Sequence, residues 1–260
     1  MKHFFCRVGN KNDMINFITD LEPVGYKKYV EPFCGSGAIF WAKAGQDIQT
    51  VINDIDPVLM DGYKLLQYGE ICDIERFNTK DIQDLTTIRN YMGEDDACKL
   101  ASIMVRFANT FAGKHDHKIY KTTNPFNKLN KLPDYRRAII NTEITCKDYI
   151  EVINNHDSKD TFFFLDPPYI NSSQQMYKHD TINIIELFSL LSNIQGKFIL
   201  TLDNISCIPS LVFLYLDNIE SNRELFKDFK QVFRTVKAKG MRKTGGCGAR
   251  DRVDLIIMNY

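Results

Sequence analysis

Two adjacent prolines, Pro167 and Pro168, stop the apolar run Phe162-Phe163-Phe164-Leu165 and fix what this stretch of chain can become. Proline brings no N–H to a sheet ladder and holds φ at about −65°. The run therefore reads as a buried strand that ends at Leu165 and delivers Asp166 at its carboxyl end. An ionised carboxylate only accepts hydrogen bonds, and the prolines add carbonyls without competing donors. A flat exocyclic NH2 group carries two hydrogens. Asp166 and the Pro167 carbonyl can accept one each while Tyr169 lies against the face of the ring. The segment Asp166-Pro167-Pro168-Tyr169 thus has the chemistry of a socket for an aminated nucleobase. Its plainer reading is a strand-end turn with a packed tyrosine.

Elsewhere the chain carries the signals of a doubly wound sheet. Tyr29-Val30-Glu31-Pro32-Phe33 reads as a short strand, Cys34-Gly35-Ser36-Gly37 as a turn, and Ala38 to Ala44 as a helix stopped at Gly45. Thr50-Val51-Ile52-Asn53-Asp54 follows as a second strand closed by Asp56-Pro57. This β-turn-α-β order opens a doubly wound, Rossmann-like fold. Val58 to Asn141 lacks strong strand signals and contains helix-compatible stretches such as Ala97 to Phe107. Phe111 to Phe126 is polar, basic and turn-rich, the composition of an exposed hairpin or loop. Strand chemistry returns at Thr142 to Cys146, Phe162 to Leu165, Lys197 to Leu202 and Val253 to Met258. The expected organisation is an α/β catalytic domain built from residues 1–57 and 142–260, interrupted by a mainly helical insertion over 58–141.

Composition narrows the class. At 44% apolar and 25% charged residues, the chain resembles an ordinary soluble globular protein. No apolar stretch approaches the roughly 18 residues that span a bilayer, and the first residues lack a signal peptide's apolar core. Seven scattered cysteines without C-x-x-C spacing fit a reduced compartment, the cytoplasm of a bacterial cell or of the host of a virus or phage, and argue against a structural zinc. His115 and His117 flank Asp116 but lack further ligands at metal-site spacing. The formal net charge is zero, yet Arg106 to Lys147 holds nine basic residues against Asp116, Asp134 and Glu143. Arg223 to Arg252 holds ten against Glu224, Asp228 and Asp251. Such segments suit a nucleic-acid footprint and equally suit solvated Lys-rich surfaces.

The glycine turn supplies the second chemical motif. Glycines at a strand-to-helix turn let the backbone approach a ligand closely. Asp54 ends the next strand, close to the roughly 20-residue offset at which an acid meets ribose hydroxyls. The turn has neither the third glycine nor the Lys-Ser/Thr of a phosphate-binding loop, so a ligand with ribose and no triphosphate fits it. Ligands of doubly wound sheets collect at the carboxyl ends of strands, where the amine socket also falls. Cys34 sits inside this turn and reads as a small buried side chain rather than a nucleophile.

In this order of motifs the sequence resembles the Dam-like, α-group adenine-specific DNA methyltransferases over nearly its whole length. Arg7-Val8-Gly9-Asn10-Lys11 is similar to the amino-terminal cofactor motif, Phe33-Cys34-Gly35-Ser36-Gly37 to the S-adenosyl-L-methionine loop, and Asn53-Asp54 to the ribose-binding acid. Cys146-Lys147-Asp148-Tyr149 resembles the segment flanking the cofactor's adenine, Asp166 to Tyr169 the catalytic tetrapeptide, and Lys197 to Asn204 a late family strand. The resemblance implies Arg7, Lys11, Phe33, Gly35, Gly37, Asp54, Asp148, Tyr149 and Asp166 as cofactor contacts. It implies Asp166, Pro167, Pro168 and Tyr169 as the catalytic group.

It further implies double-stranded DNA as partner, a base flipped out of the duplex, and methyl transfer without a metal. In the family the insertion carries a helical bundle and a hairpin that enters the duplex, and Asn124-Pro125-Phe126 resembles the end of that hairpin. Lys114, His115, His117, Lys121, Asn124, Arg136 and Arg137 are the implied DNA contacts, with Lys121, Arg136 and Arg137 on phosphates. Two other readings stand beside this one: an RNA base-amine methyltransferase, and a DNA-binding module of the same fold without activity.

Overall fold

Strands form where the apolar runs predict them. The computed structural model describes residues 1–7, 11–90, 93, 95–110, 118–119, 123–168, 182–203, 229–236 and 252–260. The chain is mixed α/β and forms two compact units, Met1–Glu22 with Lys28–Val152, and Pro23–Lys27 with Ile153–Tyr260.

In the first unit β1 (Lys28–Glu31), β2 (Gln49–Asn53) and β3 (Glu143–Thr145) are all parallel, in the order β3-β2-β1. Parallel neighbours need a crossover. Helix α2 (Ala38–Lys43) joins β1 to β2, and among the described residues four α-helices lie between β2 and β3: α3 (Pro57–Tyr68), α4 (Ile82–Asn90), α5 (Asp96–Asn109) and α6 (Leu132–Ile139). A further helix, α1 (Ile15–Leu21), precedes β1. Tyr29, Val30, Val51 and Ile52 are fully buried in the strands. An aromatic cluster packs in the same unit: Phe5 stands edge-on to Tyr63 at 5.1 Å, and Trp41 edge-on to Tyr135 at 5.1 Å.

The helices between β2 and β3 are built by caps and long-range clasps. Pro57 occupies the first turn of α3, with Asp56 accepting from Val58 N (3.1 Å) and Leu59 N (3.3 Å). Asp95 accepts from Cys98 N (2.7 Å) at the start of α5. The carboxyl ends of α3 and α6 satisfy each other's last carbonyls, which a helix leaves without partners. Buried Gln67 of α3 donates its Nε2 to Ile139 O (2.7 Å) and Thr142 O (2.8 Å). In return Arg136 of α6 donates Nη2 to Gly69 O at 2.9 Å.

The second unit contains β4 (Thr161–Leu165), α8 (Ile184–Leu191), β5 (Lys197–Asp203), β6 (Lys230–Val236) and β7 (Arg252–Met258), in strand order β4-β5-β7-β6. Helix α7 (Tyr149–His156) carries the chain from the first unit into it. β4 and β5 are parallel, while β7 runs antiparallel to both β5 and β6. All five residues of β4 are buried, as a strand covered on both faces must be. The expected loop or hairpin over Phe111 to Phe126 lies mostly outside the described residues. Its described flank shows an antiparallel bridge between Thr110 and Ile119. Among the described residues no helix is long and apolar enough to cross a membrane.

The reciprocal clasp has a measurable consequence. Gln67→Met keeps the side-chain length and strands two buried carbonyls, so the unfolding free energy should fall by about 2–4 kcal/mol. Urea denaturation checks this, and an unshifted midpoint would show that the clasp adds nothing.

Candidate active site

In the first unit the candidate residues collect at the carboxyl ends of β1, β2 and β3, held by one amide. Asn53, the last residue of β2, is 1% exposed. Its Nδ2 donates to Pro32 O (3.0 Å) and Lys147 O (3.0 Å). Its Oδ1 accepts from Lys147 N (2.9 Å) and Thr145 Oγ1 (2.8 Å). Cys34 N donates to Asn53 O at 2.7 Å. One side chain therefore fastens the loops that follow three parallel strands, with all four amide bonding positions in use.

The next residues extend this frame. Asp54 is nearly buried, and each of its carboxylate oxygens accepts a backbone N–H: Oδ2 from Gly35 (2.9 Å) and Oδ1 from Asp56 (3.0 Å). Both oxygens keep lone pairs for a further donor. Gly35 and Gly37 have positive φ, 51° and 63°, where a side chain is strained. They differ in surroundings. A Cβ on Gly37 would stand 3.1 Å from the Tyr63 hydroxyl and 3.3 Å from Cys34 Sγ, whereas a Cβ on Gly35 would meet nothing within 4 Å. A side chain at Gly37 would thus be crowded as well as strained, whereas Gly35 leaves its backbone open to an approaching molecule.

Aromatic surface stands in the same unit. Phe33 and Tyr149 are half-buried, with ring centroids 5.1 Å apart and planes tilted by 36°. Asp148 is exposed and accepts from Ile150 N (2.8 Å), capping α7 rather than pointing its acceptor solely outward. Arg7 pairs with Asp56, Nη1 to Oδ2 at 2.7 Å, with the side chains 15% and 3% exposed. Asp56 therefore caps α3 and anchors Arg7 at once. Lys11 is buried in this unit. Burial raises the Cys34 thiol pKa well above its usual value, with Glu31 and then Asp54 adding to the shift. A thiol held neutral in this way is a poor nucleophile.

In the second unit β4 ends at Leu165, one residue before Asp166, where the proline argument expects it to end. Pro167 is buried, and Asp166 and Pro168 are half-buried. Thr201, fully buried on β5, donates Oγ1 to Asp166 Oδ1 at 2.8 Å. Tyr169 lies outside the described residues.

The implied DNA contacts divide by what already engages them. Arg136 donates to the carboxyl end of α3, as described above. Arg137 is 78% exposed and makes a long ion pair with Asp134 at 3.4 Å. Asn124 forms a turn by accepting from Phe126 N (2.8 Å) and donates to Asn78 Oδ1 at 2.9 Å. Lys114, His115, His117 and Lys121 lie outside the described residues. No cluster of three or more metal-ligating side chains occurs among the described residues.

Asn53, Asp56 and Thr201 hydrogen-bond the segments that carry the motifs, contacts that the motifs alone do not assign. The signal for Asn53 and Thr201 is a polar residue directly beside buried apolar strand residues, since a buried polar group requires a partner.

Comparison with known proteins gives a consistent result. A family model described as D12 class N6 adenine-specific DNA methyltransferase matches residues 8–99 and 75–243. The type II methyltransferase M.MjaIII of Methanocaldococcus jannaschii is 23% identical over 300 aligned residues, covering 100% of this chain and 99% of that protein. The type II methyltransferase M.CviBI of Paramecium bursaria Chlorella virus NC1A is 24% identical, over 62% of this chain and 66% of its own length. A DNA N-6-adenine-methyltransferase of Escherichia phage P1 is 27% identical over 65% of this chain and 24% of its own.

The Asn53 clasp makes a stability claim. Asn53→Ala should lower the unfolding free energy by about 3 kcal/mol or more, because the Pro32 carbonyl, both peptide groups of Lys147 and the Thr145 hydroxyl lose their partner together. Chemical denaturation tests it; a loss of less than about 1 kcal/mol would mean that the loops hold without the amide.

Proposed function

The chain belongs to the D12 class of N6 adenine-specific DNA methyltransferases, and on that premise we propose that it methylates the exocyclic amine of one adenine within a specific duplex sequence, with that base turned out of the helix. The methyl donor is S-adenosyl-L-methionine. The observation that carries the reading is a buried strand, β4, followed directly by Asp166-Pro167-Pro168, with the carboxylate hydrogen-bonded from the neighbouring strand.

The first unit's residues suit the donor. Gly35 leaves its backbone face open, Asp54 keeps lone pairs for ribose hydroxyls, and Phe33 and Tyr149 offer half-exposed ring surface for an adenine. Lys11 and Asp148 complete the proposed contact set, and Arg7 acts through Asp56. When bound, S-adenosyl-L-methionine supplies a methyl group already activated on a sulfonium sulfur.

The protein's share of the chemistry is orientation and charge. The adenine amine is a weak nucleophile because its lone pair is delocalised into the ring. Asp166 accepts one amine hydrogen and the Pro167 carbonyl the other, which draws the nitrogen toward a pyramidal shape and frees the lone pair. The anionic Asp166 stabilises positive charge as it grows on nitrogen, and the methylated nitrogen then sheds one of its two protons through this carboxylate to solvent. Tyr169 stacks on the extruded base, and no covalent enzyme intermediate is needed.

Residues 1–57 and 142–260 form the proposed catalytic domain, and the helical stretch 58–141 reads the DNA. Arg137, with its head in water, is the phosphate contact favoured among the described residues; Lys114, His115, His117, Lys121 and Asn124 are proposed to lie along the same interface. Arg136 supports that surface through α3.

Methyl-labelled S-adenosyl-L-methionine, a mixed-sequence duplex and nucleoside digestion provide the test. Label should appear in N6-methyladenine, and Asp166→Ala should reduce it by about a thousandfold. Near-normal transfer by that variant would remove Asp166 from the chemistry, while label in structured RNA alone would move the substrate to RNA. Arg137→Ala should weaken duplex binding and lower the salt slope by about one ion. An unchanged slope would take Arg137 out of the interface.

A further inference from the structure

The interior of β5 is apolar except at Thr201. Its neighbours Leu200 and Leu202 are buried, and Thr201 itself has no exposed surface. Valine would fill the same volume without a polar atom, and burying a hydroxyl is unfavourable unless it finds a partner. The partner is identifiable. Parallel pairing of Leu165 with Leu200 brings the residue after β4 beside the residue after Leu200. Thr201 Oγ1 lies 2.8 Å from Asp166 Oδ1 and 3.4 Å from Leu165 O. A hydroxyl has one hydrogen, and the shorter contact, to a carboxylate, is also the stronger kind of bond.

We infer that Thr201 is a positioning residue for methyl transfer: its hydroxyl fixes the orientation in which the Asp166 carboxylate receives the amine, and so sets turnover rather than substrate affinity. This rests on the proposed role of Asp166. Asp166 follows the last strand residue and is half-buried, so its side-chain torsions are not fixed by the sheet ladder itself. A donor on the adjacent strand, rooted in the core, restricts those torsions at the oxygen. Misorientation of an acceptor lowers the rate of the step it serves while leaving the rest of the binding surface intact.

Thr201→Val removes the hydroxyl at constant volume. Its kcat and single-turnover rate should fall about 10- to 100-fold, with KM for duplex DNA and affinity for S-adenosyl-L-methionine within about twofold of the unaltered protein. Thr201→Ser should retain turnover within about threefold, because it keeps the donor. A merely structural threonine would instead lower thermal stability and disturb binding and turnover together. If Thr201→Val does not fold, Thr201→Ser and Thr201→Ala form the comparison: both lose the methyl group, and only one keeps the hydroxyl. The inference is overturned if Val turns over normally, if KM rises at unchanged kcat, or if Ser is as impaired as the hydroxyl-free variant. The unaltered protein and Asp166→Ala run in the same assay separate the causes. An active parent, a dead Asp166→Ala and a fully active Thr201→Val reject Thr201 alone; a parent that binds cofactor and methylates no adenine rejects the functional reading with it.

Discussion

A parallel strand that ends inside a protein leaves its last peptide groups facing loops that have no ladder to join. In the first unit a single buried side chain resolves this for three strands at once. Asn53 bonds the backbone after β1 at Pro32 and after β3 at Lys147, while its own carbonyl accepts from Cys34. Phe33, Gly35, Asp54, Asp148 and Tyr149, all proposed to touch the methyl donor, lie within two residues of a group bonded to Asn53 or of Asn53 itself. Asp54 follows directly and takes its two backbone bonds from Gly35 and Asp56. Asp56 then starts α3 and holds Arg7. Between these acids Ile55 turns outward, 48% exposed, so the segment alternates between residues that organise the loop and one that faces away.

The second unit solves a related problem with less material. β4 needs no polar clasp to stop, because the prolines end it. What the prolines do not provide is a donor for the acid they expose, and Thr201 on the adjacent strand supplies one to its Oδ1. The antiparallel return of β7 against β5 closes the other side of that strand, so the threonine sits in an interior strand and inherits its rigidity. A hydroxyl on an exposed loop could make the same bond without fixing the carboxylate in the same way.

Much of this was legible from residues. The strands from β1 to β5 and β7 coincide with apolar or alternating runs, and α5 with the stretch Ala97 to Phe107. The turn glycines, Asp54 and the end of β4 follow from backbone chemistry that does not depend on distant parts of the chain. Three kinds of fact were not legible. Strand direction was one: nothing in Val253 to Met258 says that β7 runs antiparallel to β5. A second was β6, Lys230–Val236, whose β-branched and aromatic residues lie within a segment that reads first as basic. Long-range polar pairing was the third. Arg7 meets Asp56 from 49 positions away, and Gln67 meets Ile139 O from 72. Local pattern cannot supply such partners, because many residues satisfy the same local rules.

That third gap bears directly on how charge predicts binding. Counting basic residues treats every lysine and arginine as a cation available to a phosphate. Here several are occupied within the fold. Lys43 pairs with Glu22 at 2.6 Å, both side chains largely buried, and Lys128 donates to His3 O and Phe4 O while burial lowers its pKa. Arg7 and Arg136 are held by Asp56 and by the end of α3. A cation whose hydrogens already bond buried acceptors adds little to counterion release, because moving it to a phosphate would leave those acceptors unpaired. Lys118, Lys131 and Arg137 differ in having exposed side chains. Among the described residues, then, the cations free to face solvent are fewer than the basic total of the segment, and any attraction for a polyanion has to come from such exposed heads. Net charge alone therefore says little about the surface of a neutral chain, because a residue counted in the sum can be spent in the interior, as Lys43 and Lys128 are.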